Sequence, residues 1–118
     1  MAAVLDPEDT TDDHIADTLR VGDGLCHPQV VERCVREAPA HIRRFAEEIG
    51  VPFDRDAEGD FVLGREGGHT ARRIVHVKDM TGRAIEQALL ARVDERQGRI
   101  QILADHLAID LLTTAKYG

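Results

Sequence analysis

Residues 63–73 read LGREGGHTARR, and this stretch is the most informative part of the chain because it predicts a turn between two extended segments. Gly67 and Gly68 lack a Cβ, so the backbone can turn sharply there and another molecule can approach it closely. Glu66 precedes the two glycines, and His69 and an arginine pair at 72–73 follow them. These charges could surround a small charged ligand, or they could lie on a solvated surface hairpin.

The sequence before this turn predicts three helices. The threonines at 10–11, followed by two aspartates, are typical of a helix N-terminus, and Gly22 is expected to end that helix. Pro28 is suited to the first turn of a second helix, where no amide donor is needed. Pro39 lacks the amide hydrogen that continues a helix, so we expect a break there and a third helix from Pro39 to Gly50.

From Val51 onward the spacing of apolar residues becomes typical of strands. Short strands are expected around residues 51–53 and 61–63, with a further extended segment over 73–77. A helix capped by Asp79 or Thr81 should follow and close at Gly98. Two aliphatic strands are then expected over 99–103 and 107–113. The predicted class is α+β: N-terminal helices, short strands, a helix and a β-hairpin.

The composition bounds the size and the partners of the protein. A chain of 118 residues with a formal net charge of −7 is one domain or part of one. Seven acidic residues against a single arginine precede Gly24, whereas the remainder is nearly neutral. This acidic front disfavours nucleic acids and anionic membranes as partners, and its simplest interpretation is a solvated face at the start of a helix. Nucleic-acid binding through Arg72 and Arg73 is therefore a weak hypothesis.

Several enzymatic chemistries lack the residues that they need. The six histidines are scattered without metal-ligand spacing, so no metal site is expected. There is no serine, and neither Cys26 nor Cys34 lies beside a convincing base, so no nucleophilic triad is predicted. The two cysteines are expected to be reduced thiols rather than a disulfide. No apolar run is long enough to span a bilayer, which favours a soluble cytoplasmic protein.

Four blocks of the sequence, together with the turn at 63–73, resemble the L-aspartate oxidases. These flavoproteins are related to the flavoprotein subunits of succinate dehydrogenase and fumarate reductase. The blocks occur in the family's order and at about its spacing, so the likeness covers essentially the whole chain. They are AAVLDPEDTTDDHIADTLRVGDGLC at 2–26, IGVPFD at 49–54, RRIVHVKDMTGRAIEQALL at 72–90 and IQILADHLAIDLL at 100–112.

The resemblance implies a piece of a larger enzyme. The family binds the flavin pyrophosphate with a strand, a G-x-G-x-x-G turn and a helix, and no such pattern occurs in this chain. The nearest glycine cluster, at 22–24, follows a predicted helix and contains an acid. The family's catalytic arginine and carboxylate-binding histidines belong to a capping domain that would lie beyond Gly118. We therefore expect residues 1–118 to be an internal fragment of the FAD-binding domain, an incomplete piece of an α/β fold without a catalytic residue.

The activity that the resemblance implies is the oxidation of L-aspartate to iminoaspartate. A hydride passes to FAD, which oxygen or fumarate reoxidises, and the reaction begins bacterial NAD biosynthesis. The protein places the substrate, while the flavin performs the redox chemistry. Because this chain lacks the phosphate-binding turn, we expect it to be inactive alone and to have little affinity for FAD.

The resemblance also assigns substrate and cofactor residues. Glu66 would bind the ammonium group of aspartate, since the matching position is not an acid in the related enzymes, whose dicarboxylates lack an amine. A salt bridge from Glu66 to Arg65, Arg72 or Arg73 is the structural alternative. His69 would hydrogen-bond near the substrate, or hold its own loop together. The residues expected near the flavin are Ala2, Ala3 and Ala108.

A different class of function stays open from the residues alone. The chain could be a helix-rich binding module that keeps the acid-Gly-Gly-His loop for a small amine or amino acid and performs no catalysis. If the chain is instead a fragment without its neighbouring strands, the apolar faces around Val75, Ile102 and Leu111 could be left open, which would favour self-association.

Overall fold

The computed structural model describes residues 1–96 and 98–113. Within them, three α-helices and one two-stranded antiparallel sheet form an α+β arrangement, which confirms the predicted class. A π-helical turn, Phe45–Ile49, extends the second helix. The elements in chain order are α1 (Thr11–Gly22), α2 (Pro28–Arg44), β1 (Leu63–Gly64), β2 (Ile74–Val75) and α3 (Thr81–Asp94). No helix in these ranges is both long and apolar enough to cross a membrane.

Helix α1 begins and ends where the sequence predicts. The Thr10 hydroxyl accepts a hydrogen bond from the Asp13 amide at 3.1 Å, which satisfies one of the free amides of the first turn. After Gly22, Asp23 adopts a left-handed conformation with φ 44° and donates its amide to the carbonyl of Arg20. Asparagine and aspartate tolerate this conformation better than most residues other than glycine, so the helix stops there.

Helix α2 runs through Pro39, so the predicted break at this residue is wrong. A proline inside a helix costs about 3 kcal/mol, because it removes one hydrogen bond and crowds the preceding turn. The apolar face of α2 offsets that cost: Val35 and Ile42, two turns apart, are both buried, and Ala38 packs against the core. The predicted stop at Gly50 is confirmed, with φ 84° at that glycine.

The sheet brings the N-terminal segment against the middle of the chain. In β1 and β2, Leu63 pairs with Val75 and Gly64 with Ile74. Ala2 forms a single antiparallel bridge with Ile74, and the amide of Ala3 donates to the Arg73 carbonyl at 2.9 Å. The extended segments expected around 61–63 and 73–77 are thus present, although regular strand pairing covers only two residues in each.

The core lies between α2, the sheet and the segment that follows Gly50. Its fully enclosed members are aliphatic apart from one phenylalanine: Ala3, Ile42, Val51, Phe53 and Val75. Helix α3 closes one side through Ile85 and Ala88, which are partly buried against this cluster. It starts at Thr81, without a side-chain cap, and ends at Asp94, so it is shorter than the predicted limit at Gly98.

The two strands predicted over 99–103 and 107–113 are not formed within residues 98–113. Ile100 is a single bridge residue, and 101–113 contain neither helix nor strand. The alternating aliphatic side chains that suggested strands are exposed instead, with Leu107 at 86% and Ile109 at 91%. A strand needs a partner for its backbone and a covered face for its side chains, and the described residues provide neither for this segment.

Candidate functional site

A buried arginine organises the region around the double-glycine loop. Arg73 has no exposed surface, and its guanidinium binds Asp9 through two bonds, from Nε at 2.6 Å and from Nη2 at 2.8 Å. Its Nη1 donates to the Asp17 carboxylate at 2.6 Å. Such a bidentate, charge-assisted arrangement is among the stronger polar contacts in proteins. The hydrogen bonds that Arg73 donates to Asp9 raise the pKa of Arg73, although burial acts in the opposite direction.

Asp17 connects this arginine to the loop. One oxygen of its carboxylate, Oδ2, accepts from the Thr70 amide at 2.7 Å and from the Thr70 hydroxyl at 2.8 Å, in addition to Arg73. The other oxygen accepts from Arg20 at 2.9 Å. The hydrogen bond from Arg73, followed by that from the Thr70 amide, holds the pKa of Asp17 far below its usual range. These hydrogen bonds connect helix α1 to Thr70 and Arg73, which follow the two glycines.

The interpretation of the acidic front as a solvated face is wrong for two of its residues, Asp9 and Asp17, which are buried. Asp17 is 4% exposed, and the side chain of Asp9 is 2% exposed in its pair with Arg73. Burial alone would raise the pKa of Asp9, but the hydrogen bonds and charge of Arg73 outweigh it and hold the pKa below its ordinary value. Asp12 and Asp13 do remain exposed at the start of α1.

The loop itself is shaped by its second glycine. Gly68 has φ 89°, a backbone conformation that side chains disfavour, and a Cβ placed there would lie 2.8 Å from Cγ2 of Val21. The carbonyl of Gly68 accepts from Arg20 at 3.0 Å. Gly67 differs, because a Cβ at that position would meet nothing within 4 Å. The loop therefore packs on α1 at Gly68 and stays open at Gly67.

Glu66 is exposed at the edge of this loop. Its carbonyl accepts from the His69 amide at 3.3 Å, which closes the turn around the two glycines. Its carboxylate makes no hydrogen bond or ion pair with any residue in 1–96 or 98–113, so the salt bridge considered as an alternative is not formed there. A cavity of about 270 Å³ opens next to the loop, and its lining residues are Asp17, Thr18, Val21, Gly22, Gly67, Gly68 and His69.

His69 faces both the cavity and the buried arginine. Its Nδ1 lies 3.2 Å from Nη1 of Arg73, and its ring packs edge-on against His14 with 5.5 Å between ring centres. His14 is 5% exposed, and its Nδ1 has no hydrogen-bond partner in the described part of the chain. Burial lowers the pKa of His14, and the charges of Arg73 and His69 lower it further. Both suggested tasks of His69, contact with a ligand and support of its own loop, are compatible with this position.

The residues expected near the flavin are dispersed. Ala2 is half-buried beside β2, Ala3 is fully buried with its amide bonded to Arg73, and Ala108 is exposed in the irregular segment 101–113. The glycine cluster at 22–24 lies at the C-terminal end of α1, where the helix dipole is negative and Asp23 adds a carboxylate. Pyrophosphate is an anion and binds at the N-terminal end of a helix, where the dipole is positive and backbone amides are free to donate. The described residues therefore do not fit the complete cofactor.

The sequence did not predict the buried positions of Asp9, Asp17, His14 and Arg73. One available signal was the spacing on α1. His14, Asp17 and Val21 are separated by three and four residues, the spacing that buried apolar residues usually have on one face of a helix. Polar residues on such a face need buried partners. The partner itself lies 56 residues away in sequence, which no local pattern reveals. Arg72, by contrast, is exposed, and within the described ranges its side chain donates a single hydrogen bond, to the Leu63 carbonyl at 3.5 Å.

The described residues provide neither a metal-binding group nor a disulfide. Residues 1–96 and 98–113 contain no group of three or more histidine, cysteine, aspartate or glutamate side chains that could hold a metal ion. Cys26 is half-buried and Cys34 exposed, and both are free thiols.

Comparison with known proteins connects this geometry to flavoproteins. The FAD binding domain family model matches residues 1–117. L-aspartate oxidase 2-b, chloroplastic, from Nicotiana tabacum is 45% identical over 97% of this chain and 17% of its own length. L-aspartate oxidase from Pseudomonas aeruginosa is 44% identical over the whole chain and 23% of its own length. The chain thus spans about a fifth of the length of these relatives.

Solved structures of related flavoproteins share the fold. A variant of E. coli quinol fumarate reductase FrdA matches with a TM-score of 0.77 and 30% identity, over 85% of this chain and 17% of that one. Mycobacterium smegmatis Sdh1 in complex with UQ1 matches with a TM-score of 0.70 and 32% identity, over 81% of this chain and 17% of that one.

Proposed function

The chain belongs to the FAD binding domain family, and from that premise we propose that residues 1–118 are an internal part of the FAD-binding domain of an L-aspartate oxidase. The enzyme would oxidise L-aspartate to iminoaspartate with FAD. FAD is the cofactor of the family. The identity to L-aspartate oxidases from a plant and a bacterium, over nearly the whole chain, supports this assignment.

The role that we propose for this chain is recognition of the substrate's ammonium group. The observation that carries it is the exposed carboxylate of Glu66, which has no polar partner among residues 1–96 and 98–113 and belongs to a loop whose Gly67 lines a cavity. A carboxylate that none of the described residues pairs with is available for a charge-assisted hydrogen bond to an amine. Aspartate differs from succinate by that amine, so Glu66 would select between them.

In this proposal, the flavin of the whole enzyme performs the redox step, and this chain helps to bind the substrate. We assign no catalytic residue to this part of the enzyme. Ala2, Ala3 and Ala108 remain our proposed neighbours of the cofactor, without the cradle that its pyrophosphate needs. We place the reaction at the start of NAD biosynthesis and the protein in the cytoplasm.

Flavin binding tests the first part of this proposal. The purified 118-residue chain, incubated with FAD and passed through a desalting column, should emerge without the flavin's visible absorbance and should not oxidise L-aspartate. This result follows from the absence of a G-x-G-x-x-G turn in the sequence. Stoichiometric retention of FAD would show that the chain has a complete cofactor site and would contradict the proposal.

A non-catalytic amino-acid-binding module is the second candidate, and the cavity that Gly67, Gly68 and His69 line favours it. That candidate predicts a cooperative thermal transition whose midpoint rises with L-aspartate, as expected when a ligand binds only the folded state. The rise should disappear in Glu66→Ala and persist in Glu58→Ala, which removes another exposed glutamate outside the loop. An unchanged midpoint at saturating aspartate would exclude this module.

A further inference from the structure

The contact between Arg73 and His69 determines which nitrogen of the histidine carries a proton. A guanidinium has only donors, so the imidazole nitrogen that faces Nη1 of Arg73 at 3.2 Å must accept. In a neutral ring with Nδ1 as acceptor, the hydrogen lies on Nε2. Nε2 of His69 makes no hydrogen bond within the described residues, and the ring lines the cavity beside the glycine loop.

We propose that Arg73 is a positioning residue that holds His69 in its Nε2–H tautomer, so that His69 donates to a carboxylate of the amino acid whose ammonium group Glu66 binds. This inference rests on the proposed function for the identity of the ligand. It adds two features that the sequence did not provide: the atom of His69 that contacts the ligand, and the buried residue that fixes its protonation.

The cluster around Arg73 makes it suitable for this task. The guanidinium is held from two sides, by both oxygens of Asp9 and by Oδ2 of Asp17, with contacts of 2.6 to 2.8 Å. It is also completely buried, so water cannot replace these partners. The guanidinium therefore has one orientation, and the Nη1 edge that it presents to His69 is fixed.

The groups that face His69 come from three parts of the chain. Arg73 lies behind its Nδ1, the His14 ring of α1 packs against it edge-on, and the glycine turn joins it to Glu66. An exposed carboxylate and a hydrogen-bond donor then flank the same two glycines. The donor on His69 would therefore suit an anionic group of a ligand in the cavity that Gly67, Gly68 and His69 line.

The protonation of His69 is measurable in the chain alone. Long-range ¹H–¹⁵N spectra of the labelled protein at neutral pH should show the pattern of the Nε2–H tautomer for the ring that disappears in His69→Gln. In Arg73→Lys, which keeps the charge but not the planar fork, the ring should shift toward a tautomer mixture, whereas Arg72→Lys should leave it unchanged. Asp9→Asn, which weakens the contacts that hold the Arg73 guanidinium from one side, serves as the second variant if Arg73→Lys does not fold.

A predominantly Nδ1–H or doubly protonated His69 in the wild-type chain would overturn the inference. The same holds if the tautomer is unchanged in a folded Arg73→Lys or Asp9→Asn variant. These readouts report on the ring and not on overall stability, so they separate positioning from a purely structural role.

Ligand titrations separate this inference from the proposed function. His69→Phe should weaken binding of L-aspartate and succinate alike, by about tenfold, since a hydrogen bond to a charged group is lost, and His69→Gln should retain part of the affinity through its amide donor. Equal binding of both ligands by the wild-type chain would contradict the role of Glu66 and leave the role of His69 intact. Unchanged affinity in His69→Phe for both ligands would contradict the role of His69.

Discussion

Nη1 of Arg73 lies 2.6 Å from Oδ2 of Asp17, and this buried contact joins the residue that precedes β2 to the middle of α1 across 56 positions of sequence. The same carboxylate oxygen binds the amide and hydroxyl of Thr70. The C-terminal end of the double-glycine loop, at Thr70, is therefore held by the buried Asp17. The N-terminal end of the loop, at Glu66, is exposed.

The first prediction concerns the two neighbouring arginines. Arg73→Ala should lower the free energy of unfolding by about 3–5 kcal/mol, because it removes the counter-charge of the buried Asp9 and leaves the buried Asp17 with the exposed Arg20 as its cationic partner. Arg72→Ala should change it by no more than about 0.5 kcal/mol, since that side chain is exposed. Urea unfolding of both variants measures the difference. Similar losses in the two proteins would mean that the buried cluster does not carry the stability assigned to it.

The second prediction concerns the two glycines of the loop. Gly68→Ala should destabilise the chain by about 1–3 kcal/mol, since it forces a side chain into a positive φ and against Val21. Gly67→Ala should be tolerated, because its surroundings are open. The two thermal midpoints, compared with wild type, give the result. Equal sensitivity at both positions would argue against the loop packing on α1 through Gly68.

The third prediction is a two-stage loss of stability in acid. His14 has a lowered pKa in the folded protein, so below about pH 6.5, the ordinary value for histidine, the unfolded chain binds a proton that the folded chain does not. Stability should fall as the pH drops through that point. Asp9 and Asp17 also have lowered pKa values, so a second decline should begin near pH 4, where the unfolded carboxylates become protonated, and continue below it.

A pair of histidine variants isolates the first stage. His14→Leu should remove the decline near pH 6.5, whereas His27→Gln, at an exposed position, should retain it. Unfolding free energies measured between pH 8 and pH 3 provide the profile. A decline near pH 6.5 that persists in a folded His14→Leu protein would assign it to another group.

The fourth prediction concerns the prolines of α2. Pro39→Ala should raise the free energy of unfolding by about 1–3 kcal/mol, because it restores an amide donor inside the helix and relieves crowding in the preceding turn. Pro28→Ala, in the first turn, should have an effect within about 1 kcal/mol. Destabilisation by Pro39→Ala would show that the helix depends on the proline and does not merely tolerate it.

The sequence predicted those features that local chemistry decides. The start of α1 depends on the Thr10 side chain, and the end of the π-helical turn depends on a glycine with positive φ, so both are visible in the residues themselves. Pro39 was misleading because its local cost is outweighed by the burial of Val35 and Ile42, which is a tertiary effect.

The candidate site was only partly predictable for the same reason. Glu66, His69 and the glycines lie within four residues of one another, so the turn that unites them is local. The cluster of Asp9, Asp17 and Arg73 joins Arg73 to residues 64 and 56 positions earlier in the sequence, and each residue alone resembles a surface charge. The aliphatic pattern over 99–113 indicated strands, but strand formation needs partners that the described residues do not contain.

Selection of an ammonium group by Glu66 is the central claim, and an NMR titration of the labelled chain tests it most directly. L-aspartate should shift the amide signals of Gly67, Gly68 and His69 at lower concentration than succinate, and Glu66→Gln should remove that difference by weakening aspartate alone. One charge-assisted contact corresponds to a difference of about tenfold or more in affinity. Equal responses to the two ligands in the wild-type chain, or a preference for aspartate that persists in Glu66→Gln, would contradict the claim.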